Sequence, residues 1–382
     1  MDKKTPITIG SLPEFISEIM KYKNRSFSFR GERGTHEKRM ATAFRAERVE
    51  WCSDSAIGYS DFMSAVNEFY SSVGHRLSDM EKEEFIPFAQ HHRIPTNLLD
   101  VTSSPLIALF MACYKEKCKV CEKREDYKEE NGYVYVFYNN YFIDITDVVQ
   151  YQSWDIYNLF YLGNRDAINK LNLLFQEYLD NLHIVKPERQ FEIMLSLLAV
   201  ANSCYKKQET LEEAAYEIYE KVGEDTTALF DEMKAFRDII LSQPEMKVFP
   251  LDLFDGSDGD SSQLNKIGCL YAILLFYCCR AKSCNSFAKF FPGMIYRPKI
   301  TFDRARGQQG YFVYQGYFQL GAISDVQDIE YEHVFMIENT ERILEELDGI
   351  GMNYGTVYGD YDSIALHIKE KHERKLREEN KR

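Results

Sequence analysis

FAQHHRIPTNLLDVTSSPLIALFMA, residues 88–112, is the stretch that decides the fold. It begins with polar side chains, continues through LLDVT at 98–102 and ends in an apolar run. Pro105 suits the first turn of a helix, where the N–H that proline lacks would have no partner. Ser103 or Ser104 can cap the free N–H groups of that turn. The stretch therefore predicts a loop, a short buried strand and a helix, joined at a junction that suits an anion or a polarised substrate.

The composition indicates a folded protein, and nine cysteines without a regular framework fit a reducing compartment. The 382 residues are 45% hydrophobic and 14% aromatic, and the net charge is −14. That acidic balance argues against a general nucleic-acid partner, which should be basic. The start of the chain lacks the apolar core of a signal peptide, and the longest apolar run, at 267–279, is shorter than the roughly 20 residues of a membrane span. We therefore expect a cytoplasmic protein that does not enter the membrane.

Neither the cysteines nor the acidic runs predict a metal site. Cys113, Cys118 and Cys121 have a C-x4-C-x2-C spacing, but two of them lie in a Lys/Glu-rich stretch and no fourth ligand has an obvious place. The acidic run at 255–262 lacks the spaced Asp/Asn set and the terminal Glu of a calcium loop. We predict packed thiols, a linker and no metal.

Strand and helix patterns occupy different parts of the chain. Strand-like stretches are found at 26–30, 133–138, 294–296, 310–318 and 333–337. Between 155 and 242 the periodicity is helical. The sequence therefore predicts an α+β fold with a mixed or antiparallel sheet, flanking helices and a large helical insert.

An arginine stands at the end of the first predicted strand. Arg30 precedes Gly31, which permits a sharp change of backbone direction, so the arginine projects from a fixed position. Residues 21–48 hold nine basic and three acidic side chains, a local net of +6. Such a patch concentrates anions, and a guanidinium suits bidentate phosphate contacts. Arg30 is therefore a candidate anion-binding residue; the alternative is an ion pair with an internal carboxylate such as Asp100.

Polar side chains before and inside the second predicted strand are further candidates. Gln90, His91 and His92 are consecutive, and at most one histidine faces a given site if the segment is extended. A histidine is a usual general base near neutral pH, whereas a surface or capped histidine is the plainer interpretation. Asp100 lies in an apolar strand, where a carboxylate is costly unless paired. We expect it to clamp a neighbouring Arg or N–H group, or else to take part in chemistry.

The start of the predicted helix and the approach to the strand at 310–318 complete the candidate cleft. Thr102 and Ser103 either bind a ligand or cap the helix. Gly307 and Gly310 flank Gln308 and Gln309, so the backbone can approach a ligand closely there. The glutamine side-chain amides suit hydrogen bonds to a ligand amide or to a base. The alternative is a turn with solvated side chains. The late candidates are Arg304, Gln308 and Gln309.

These blocks together resemble the FRG-domain family, named for an N-terminal (Phe/Tyr)-Arg-Gly motif. Residues 29–31 match that motif, 90–102 with 105–112 are similar to the family's second block, and 304–312 are similar to its late Arg…Gln-Gln-Gly-aromatic-Phe segment. The resemblance covers about 25–150 and 290–368. Together with the helical periodicity, it predicts a first FRG part at 1–151, a helical insert with linker at 152–289 that lies mostly outside the resemblance, a closing FRG part at 290–368 and a charged helical tail at 369–382.

The chain departs from the family pattern at three positions of the second block. Arg93 stands where the family usually has Gly, Asn97 where it usually has Arg, and Val101 where it usually has Trp. The change at Asn97 removes a cation from the expected site, and Arg93 is a candidate substitute.

An arginine on a first strand, followed by a Thr/Ser strand running into a helix, is similar to the NAD-binding layout of ADP-ribosyltransferases. That similarity implies that Arg30 binds pyrophosphate and that His91 contacts the ribose. It implies that Thr102 and Ser103 brace the nicotinamide side, with NAD as the expected cofactor. The candidates near the reacting carbon are Gln308, Gln309 and Glu332, the last of which belongs to a Glu-x-Glu pair.

The sequence thus predicts a cleft for a nucleotide or other anionic small molecule, and the favoured activity is NAD-dependent ADP-ribosyl transfer in a toxin or anti-phage effector. The alternatives are a non-catalytic module that senses a nucleotide or a protein, and a hydrolase that uses His91 and Asp100. The helical insert is the expected surface for a protein partner. The catalytic candidates are His91, Gln309 and Glu332, and the binding candidates are Arg30, Gln90, Asp100, Thr102, Ser103, Arg304 and Gln308.

Overall fold

A computed structural model describes residues 5–22, 26–34, 40–44, 62–114, 131–149, 164–206, 211–249, 267–281, 292–299, 306–320 and 323–379. Its strands are β1 Ile7–Ile9, β2 Phe27–Arg33, β3 Leu98–Thr102, β4 Gly132–Tyr138, β5 Phe142–Asp144, β6 Gly293–Tyr296, β7 Gly310–Tyr314, β8 Tyr317–Leu320, β9 Ile323–Val326 and β10 His333–Ile337. Its helices are α1 Leu12–Met20, α2 Phe62–Val73, α3 Asp79–Glu83, α4 Phe85–His91, α5 Pro105–Cys113, α6 Thr146–Val149, α7 Arg165–Val185, α8 Pro187–Lys206, α9 Leu211–Val222, α10 Thr226–Leu241, α11 Ile267–Ala281, α12 Thr340–Gly349, α13 Tyr354–Tyr358 and α14 Tyr361–Glu379.

The main sheet has the strand order β1-β10-β4-β2-β3-β7-β6-β5 in the described part of the chain. The β1–β10 and β5–β6 pairs are parallel, and the other neighbours are antiparallel. Strands from both ends of the chain therefore alternate in one mixed sheet, while α7 to α11 lie between them in sequence. The predicted α+β fold is confirmed. The domain boundaries proposed from the sequence stay a prediction.

The predicted strand at 310–318 is wrong in one respect, because two strands occupy it. β7 ends at Tyr314, and β8 pairs with β9 in a separate hairpin. Between them, the N–H of Gln315 donates to the carbonyl of Asn97 at 2.9 Å. The Gln315 side chain is 1% exposed and accepts a hydrogen bond from the N–H of Ala41 at 2.7 Å. The chain leaves the sheet at this buried glutamine, which the alternating aromatic pattern does not reveal.

The helices cover one face of the sheet in two separate regions. Residues that pair across antiparallel strands share a face, so the Phe29–Val136 pair defines one face and the Arg30–Tyr135 pair the other. On the Phe29 face, α1, α5 and α12 pack over β2, β4 and β10. Farther along that face, Leu98 and its β6 and β7 neighbours join the core of the helical insert. Asp100 lies between these two covered regions.

Gly31 lies within β2, and the expectation that the strand ends there is wrong. The strand continues to Arg33, and the left-handed backbone conformation occurs at Gly34, with φ of +79°. A Cβ at position 31 would lie 1.9 Å from the carbonyl oxygen of Ala108 in α5. The glycine is therefore required for close helix packing, not for a turn, and Arg30 projects from the middle of a strand.

Among the described helices, none combines the length and the apolar composition needed to cross a bilayer.

Candidate functional site

Strands β2 and β3 separate next to the (Phe/Tyr)-Arg-Gly motif. They pair at Phe29 and Thr102, and beyond that pair β2 continues along β4 while β3 continues along β7. We call the resulting gap the β2–β3 split; it lies between Arg30–Arg33 and Leu98–Val101. Main-chain groups that would otherwise pair across a regular ladder are left for side chains or ligands to satisfy.

The side chain of Arg30 occupies this split. Its Nη1 donates to the carbonyl oxygen of Asp100 at 2.7 Å, and its Nε donates to Glu32 Oε1 at 2.6 Å. The two side chains are 11% and 6% exposed. Pairing with an internal carboxylate was one of the two expectations for Arg30, but the carboxylate belongs to Glu32 and not to Asp100. Within the described residues, no group accepts from Nη2 of Arg30.

Asp100 presents its carboxylate to solvent, although its neighbours in β3 are buried. Its Oδ1 accepts from Gln90 Nε2 at 3.0 Å, while the Gln90 oxygen accepts from the Thr96 hydroxyl. The expectation of a carboxylate buried in an apolar strand is wrong. Asp100 does hold a neighbouring arginine, but through its main-chain carbonyl. Its side chain is oriented by the last turn of α4.

Two residues of this site were missed from the sequence. Glu32 follows Arg30 on the same face of β2 and neutralises it. Phe312 in β7 pairs directly with Asp100 and is half-buried. The alternation of β2 could have shown that Arg30 and Glu32 share a face. No sequence signal places Phe312 beside Asp100, because that depends on strand register.

The two histidines lie at a helix end, not in an extended segment. His91 is the last residue of α4, and His92 follows as its C-cap. Both are exposed, and their rings are in edge contact at 5.2 Å. His92 also contacts Phe88, with ring centroids 4.5 Å apart. His91 therefore follows Gln90 at the rim of the site, and its proposed catalytic role stays a prediction.

The junction between β3 and α5 is built as a cap. Thr102 Oγ1 accepts from the N–H of Ser104 at 3.0 Å and donates to the carbonyl of Gln308 at 2.7 Å. Ser104 is the N-cap, and its hydroxyl accepts from the N–H of Ile107 at 3.4 Å. Thr102 thus braces the N-cap residue rather than capping the helix itself, and its proposed role in ligand binding stays a prediction.

The late glutamines form the turn that enters β7, next to this cap. Gln309 has a positive φ of 45°, and its carbonyl accepts from the N–H of Ser103 at 3.3 Å. Its Oε1 accepts from the Ser103 hydroxyl at 3.4 Å. Gln308 Nε2 is buried and has no hydrogen-bond partner within the described ranges. Arg304 lies outside the described residues.

The residues around the split belong to a recognisable sequence family. Residues 25–120, about a quarter of the chain, match the family model described as the FRG domain. The chain contains an FRG domain. The match includes β2, the split, α4, β3 and α5, so Arg30, Gln90 and Asp100 lie inside the FRG domain, whereas Phe312 lies outside the matched residues. No curated protein and no solved structure matches the chain.

Glu332 lies apart from the FRG residues of the split. It precedes β10, which is two strands away from β2 in the sheet. Its carboxylate pairs with Lys186 Nζ at 3.6 Å, and Glu330 pairs with Arg189. Lys186 connects α7 to α8 of the helical insert, and Arg189 lies in the first turn of α8. Lys186 also lies 4.7 Å from the ring centroid of Tyr141. The acidic pair therefore holds the insert on the sheet, and its proposed catalytic role stays a prediction.

Only three of the nine basic residues at 21–48, namely Lys21, Arg30 and Arg33, lie in the described part of the chain. Lys21 pairs with Glu18, and Arg33 donates to the carbonyl of Cys113 at 2.5 Å. The basic residues at 23, 25, 38, 39, 45 and 48 lie outside the described residues. The positive patch predicted from the sequence is therefore represented at the split by Arg30, which already has an acidic partner, and by Arg33, which donates to a main-chain carbonyl.

The thiols of Cys113, Cys204, Cys269 and Cys278 are buried. Burial raises the pKa of Cys113 to about 12 despite the neighbouring Arg33. Cys118 and Cys121 lie outside the described residues. In the described part of the chain, no group of three His, Cys, Asp or Glu side chains is placed to hold a metal ion.

A buried carboxylate anchors the helix that carries Gln90. Glu84 precedes α4 and is 5% exposed. It accepts from the Tyr296 hydroxyl and, at 3.0 Å, from the N–H of Lys299. Burial raises the pKa of Glu84, and the hydrogen bond from Lys299 opposes that effect without cancelling it. The start of α4 is thus tied to β6 through an ionisable group.

Proposed function

We propose that the FRG domain binds a nucleotide at the β2–β3 split and transfers ADP-ribose from NAD. The observation that supports this is the hydrogen bond from Arg30 Nη1 to the carbonyl of Asp100, at 2.7 Å. It brings the guanidinium, which leaves β2 on the Arg30–Tyr135 face, to the main chain of Asp100, whose carboxylate is exposed on the opposite face. A nucleotide that contacts both groups would therefore pass through the β2–β3 split. A nucleotide has phosphate oxygens that accept from guanidinium and ribose hydroxyls that donate to carboxylate.

The charge of the split limits how a phosphate could bind there. Glu32 already occupies Nε of Arg30, so a phosphate would use Nη2. With one arginine and two carboxylates among Arg30, Glu32 and Asp100, the local charge is not strongly positive. We therefore expect micromolar or weaker affinity that falls with salt, since a single phosphate contact gains little and salt screens it.

In the proposed transfer, the bond from ribose C1′ to nicotinamide breaks and C1′ bonds to an acceptor nucleophile, which releases its proton. His91, at the rim, is the candidate base for that proton, and Gln309 the candidate group near the ribose. A role as a toxin or anti-phage effector is part of this proposal. It predicts growth arrest when the wild-type chain, but not Arg30→Lys, is expressed in bacteria.

A non-catalytic nucleotide sensor is the second candidate, and one observation favours it. Glu332, the acid suggested for transfer, is paired with Lys186 of the insert and lies two strands from Arg30. A sensor needs the binding groups of the split but no acid at the reacting carbon.

One experiment separates these functions. The purified full chain is titrated with NAD by calorimetry, and nicotinamide release is followed with labelled NAD, with and without cell extract. The variants are Arg30→Lys, which keeps the charge but loses the planar fork, and His91→Ala. Arg342→Gln is the matched control, since Arg342 is an exposed arginine on α12 that pairs with Glu346.

The proposal predicts saturable NAD binding that Arg30→Lys weakens about tenfold, the loss of roughly one charged hydrogen bond, while Arg342→Gln binds normally. Nicotinamide release that His91→Ala abolishes supports transfer. Binding without release contradicts transfer and supports the sensor. Absence of binding of NAD, ADP and ATP by a folded wild-type chain overturns nucleotide binding altogether.

A further inference from the structure

Asp100 and Phe312 are direct neighbours across β3 and β7. They share the sheet face that is covered at Leu98 by the helical insert and near Thr102 by the start of α5. Asp100 is exposed, and the Phe312 ring is half-buried. Side chains paired in this way have Cβ atoms about 5 Å apart. A carboxylate and part of an aromatic ring therefore lie side by side on a surface whose other β3 side chains are covered.

The Asp100 carboxylate is held in one orientation. The Gln90 amide oxygen accepts from the Thr96 hydroxyl, so its NH₂ group must be the part that meets Asp100 Oδ1, at 3.0 Å. Thr96 is 0% exposed, and its N–H donates to the Thr42 hydroxyl at 3.0 Å. This chain of contacts leaves Oδ2 of Asp100 without a partner among the described residues. A fixed, unused carboxylate oxygen is an acceptor for a ligand hydroxyl.

The Phe312 ring is fixed from behind. Its neighbour on β6, Tyr296, is stacked with it at a centroid distance of 6.4 Å, and Tyr296 in turn donates to the buried Glu84. The ring edge that remains exposed keeps its orientation without a ligand. A rigid aromatic surface beside a hydroxyl acceptor suits a nucleobase and its attached sugar, because stacking on a base tolerates any base.

We infer that Asp100 and Phe312 make the site selective for ribonucleotides, with the base on Phe312 and the ribose 2′-hydroxyl donating to Asp100 Oδ2. This rests on the proposed nucleotide binding and adds the class of nucleotide. A 2′-deoxynucleotide leaves Oδ2 without its donor and loses a hydrogen bond to a charged group.

The test compares ADP with 2′-deoxy-ADP by calorimetry on the full chain. The wild type should prefer ADP about tenfold, equivalent to about 1.4 kcal/mol. Asp100→Asn keeps an oxygen for Gln90 and replaces Oδ2 with an amide that cannot accept, so the preference should fall below about twofold. Phe312→Leu should weaken both ligands by a similar factor and retain the preference.

Matched controls separate the site from general effects. Asp79→Asn changes a 99% exposed carboxylate on α3, and Phe230→Leu changes a half-buried ring on α10. Neither should alter affinity or preference. Thermal melting checks each variant, and Phe312→Met, which also removes the ring but keeps most of the apolar volume, replaces Phe312→Leu if that variant does not fold.

The outcomes distinguish the two proposals. Equal binding of both nucleotides to the wild type sinks the selectivity and leaves nucleotide binding standing. A preference that survives in Asp100→Asn also overturns the assignment. Failure of the wild type to bind either nucleotide rejects the proposed function and this inference with it.

Discussion

Gly31 and Ala108 are in such close contact that a Cβ on the glycine would lie 1.9 Å from the alanine carbonyl oxygen. The next strand repeats this arrangement, since a Cβ at Gly132 would lie 2.4 Å from the carbonyl of Ala112. Helix α5 thus rests directly on the backbones of β2 and β4. That contact explains why the glycine of the motif follows Arg30: it fixes the helix on one face while the arginine emerges on the other.

Gly31→Ala should destabilise the fold by about 3 kcal/mol, because backbone on both sides must move to accept a methyl group. Urea unfolding followed by circular dichroism measures the change. The control is Gly349→Ala at the end of α12, where no atom lies within 4 Å of the added Cβ. That variant should be unchanged or more stable by about 0.5 kcal/mol. Equal effects at both positions would show that the α5 contact does not matter.

The elements could be predicted from the sequence more completely than the site could. Alternating β-branched and aromatic residues indicate β2, β4 and β10, and Ser104-Pro105 marks the start of α5. Periodicity does not say which strands are neighbours, so the β2–β3 split could not be anticipated. The exposure of Asp100 was equally hidden. The sequence LLDVT predicts a strand that is buried on both faces. Asp100, its middle residue, is exposed because it lies between the region covered by the helical insert and the region covered by α5.

Replacing Arg30 alone should cost more than replacing it together with its partner. Arg30→Leu leaves Glu32, 6% exposed, without its guanidinium, and we expect a loss of about 3 kcal/mol. Arg30→Leu with Glu32→Leu removes both charges and should recover at least about 1 kcal/mol relative to the sum of the single variants. A double-mutant cycle by urea unfolding measures this coupling. Additive losses would mean that the ion pair is not what holds the split together.

Glu84 should make the protein lose stability as the pH rises. Burial raises its folded-state pKa above the 4.5 of a free carboxyl, so between these two values the folded protein holds a proton that the unfolded chain has released. Its contribution is therefore full below pH 4.5 and lost as the pH rises through the folded-state pKa. Glu84→Gln has no carboxyl to deprotonate and lacks this loss. The difference in unfolding free energy between Glu84→Gln and the wild type should therefore shift in favour of the variant as the pH rises above 4.5.

Unfolding in urea at a series of pH values tests this behaviour. Glu68→Gln, an exposed substitution on α2, should follow the wild type throughout. If Glu84→Gln also runs parallel to the wild type across the window, the Glu84 carboxyl is not perturbed by burial.

Glu332→Gln distinguishes an ion pair from a catalytic acid. If Glu332 only pairs with Lys186, stability should fall by less than about 1 kcal/mol, since both side chains are partly exposed. NAD affinity should stay within about twofold. Lys186→Met, the matched control, should have the same small effect. A hundredfold loss of transfer in Glu332→Gln but not in Lys186→Met would instead assign Glu332 to the chemistry.

Asn97 offers a test of how the fold tolerates the missing family arginine. Its side chain is 0% exposed, its Nδ2 donates to the Gln315 carbonyl at 3.4 Å, and its Oδ1 has no partner within the described ranges. Because a buried unpaired acceptor is costly and that donor bond is long, Asn97→Leu should change stability by less than about 1 kcal/mol. Asn97→Asp places a carboxylate in the same enclosure and should cost about 3 kcal/mol at pH 7.

The loss in Asn97→Asp should shrink as the pH falls, because burial raises the pKa of the new carboxyl and protonation removes the charge. Unfolding of both variants at pH 4 and pH 7 measures the difference. Strong destabilisation by Asn97→Leu together with a mild effect of Asn97→Asp would show that water or an undescribed part of the chain satisfies the position. The enclosure would then be polar and able to hold a charge.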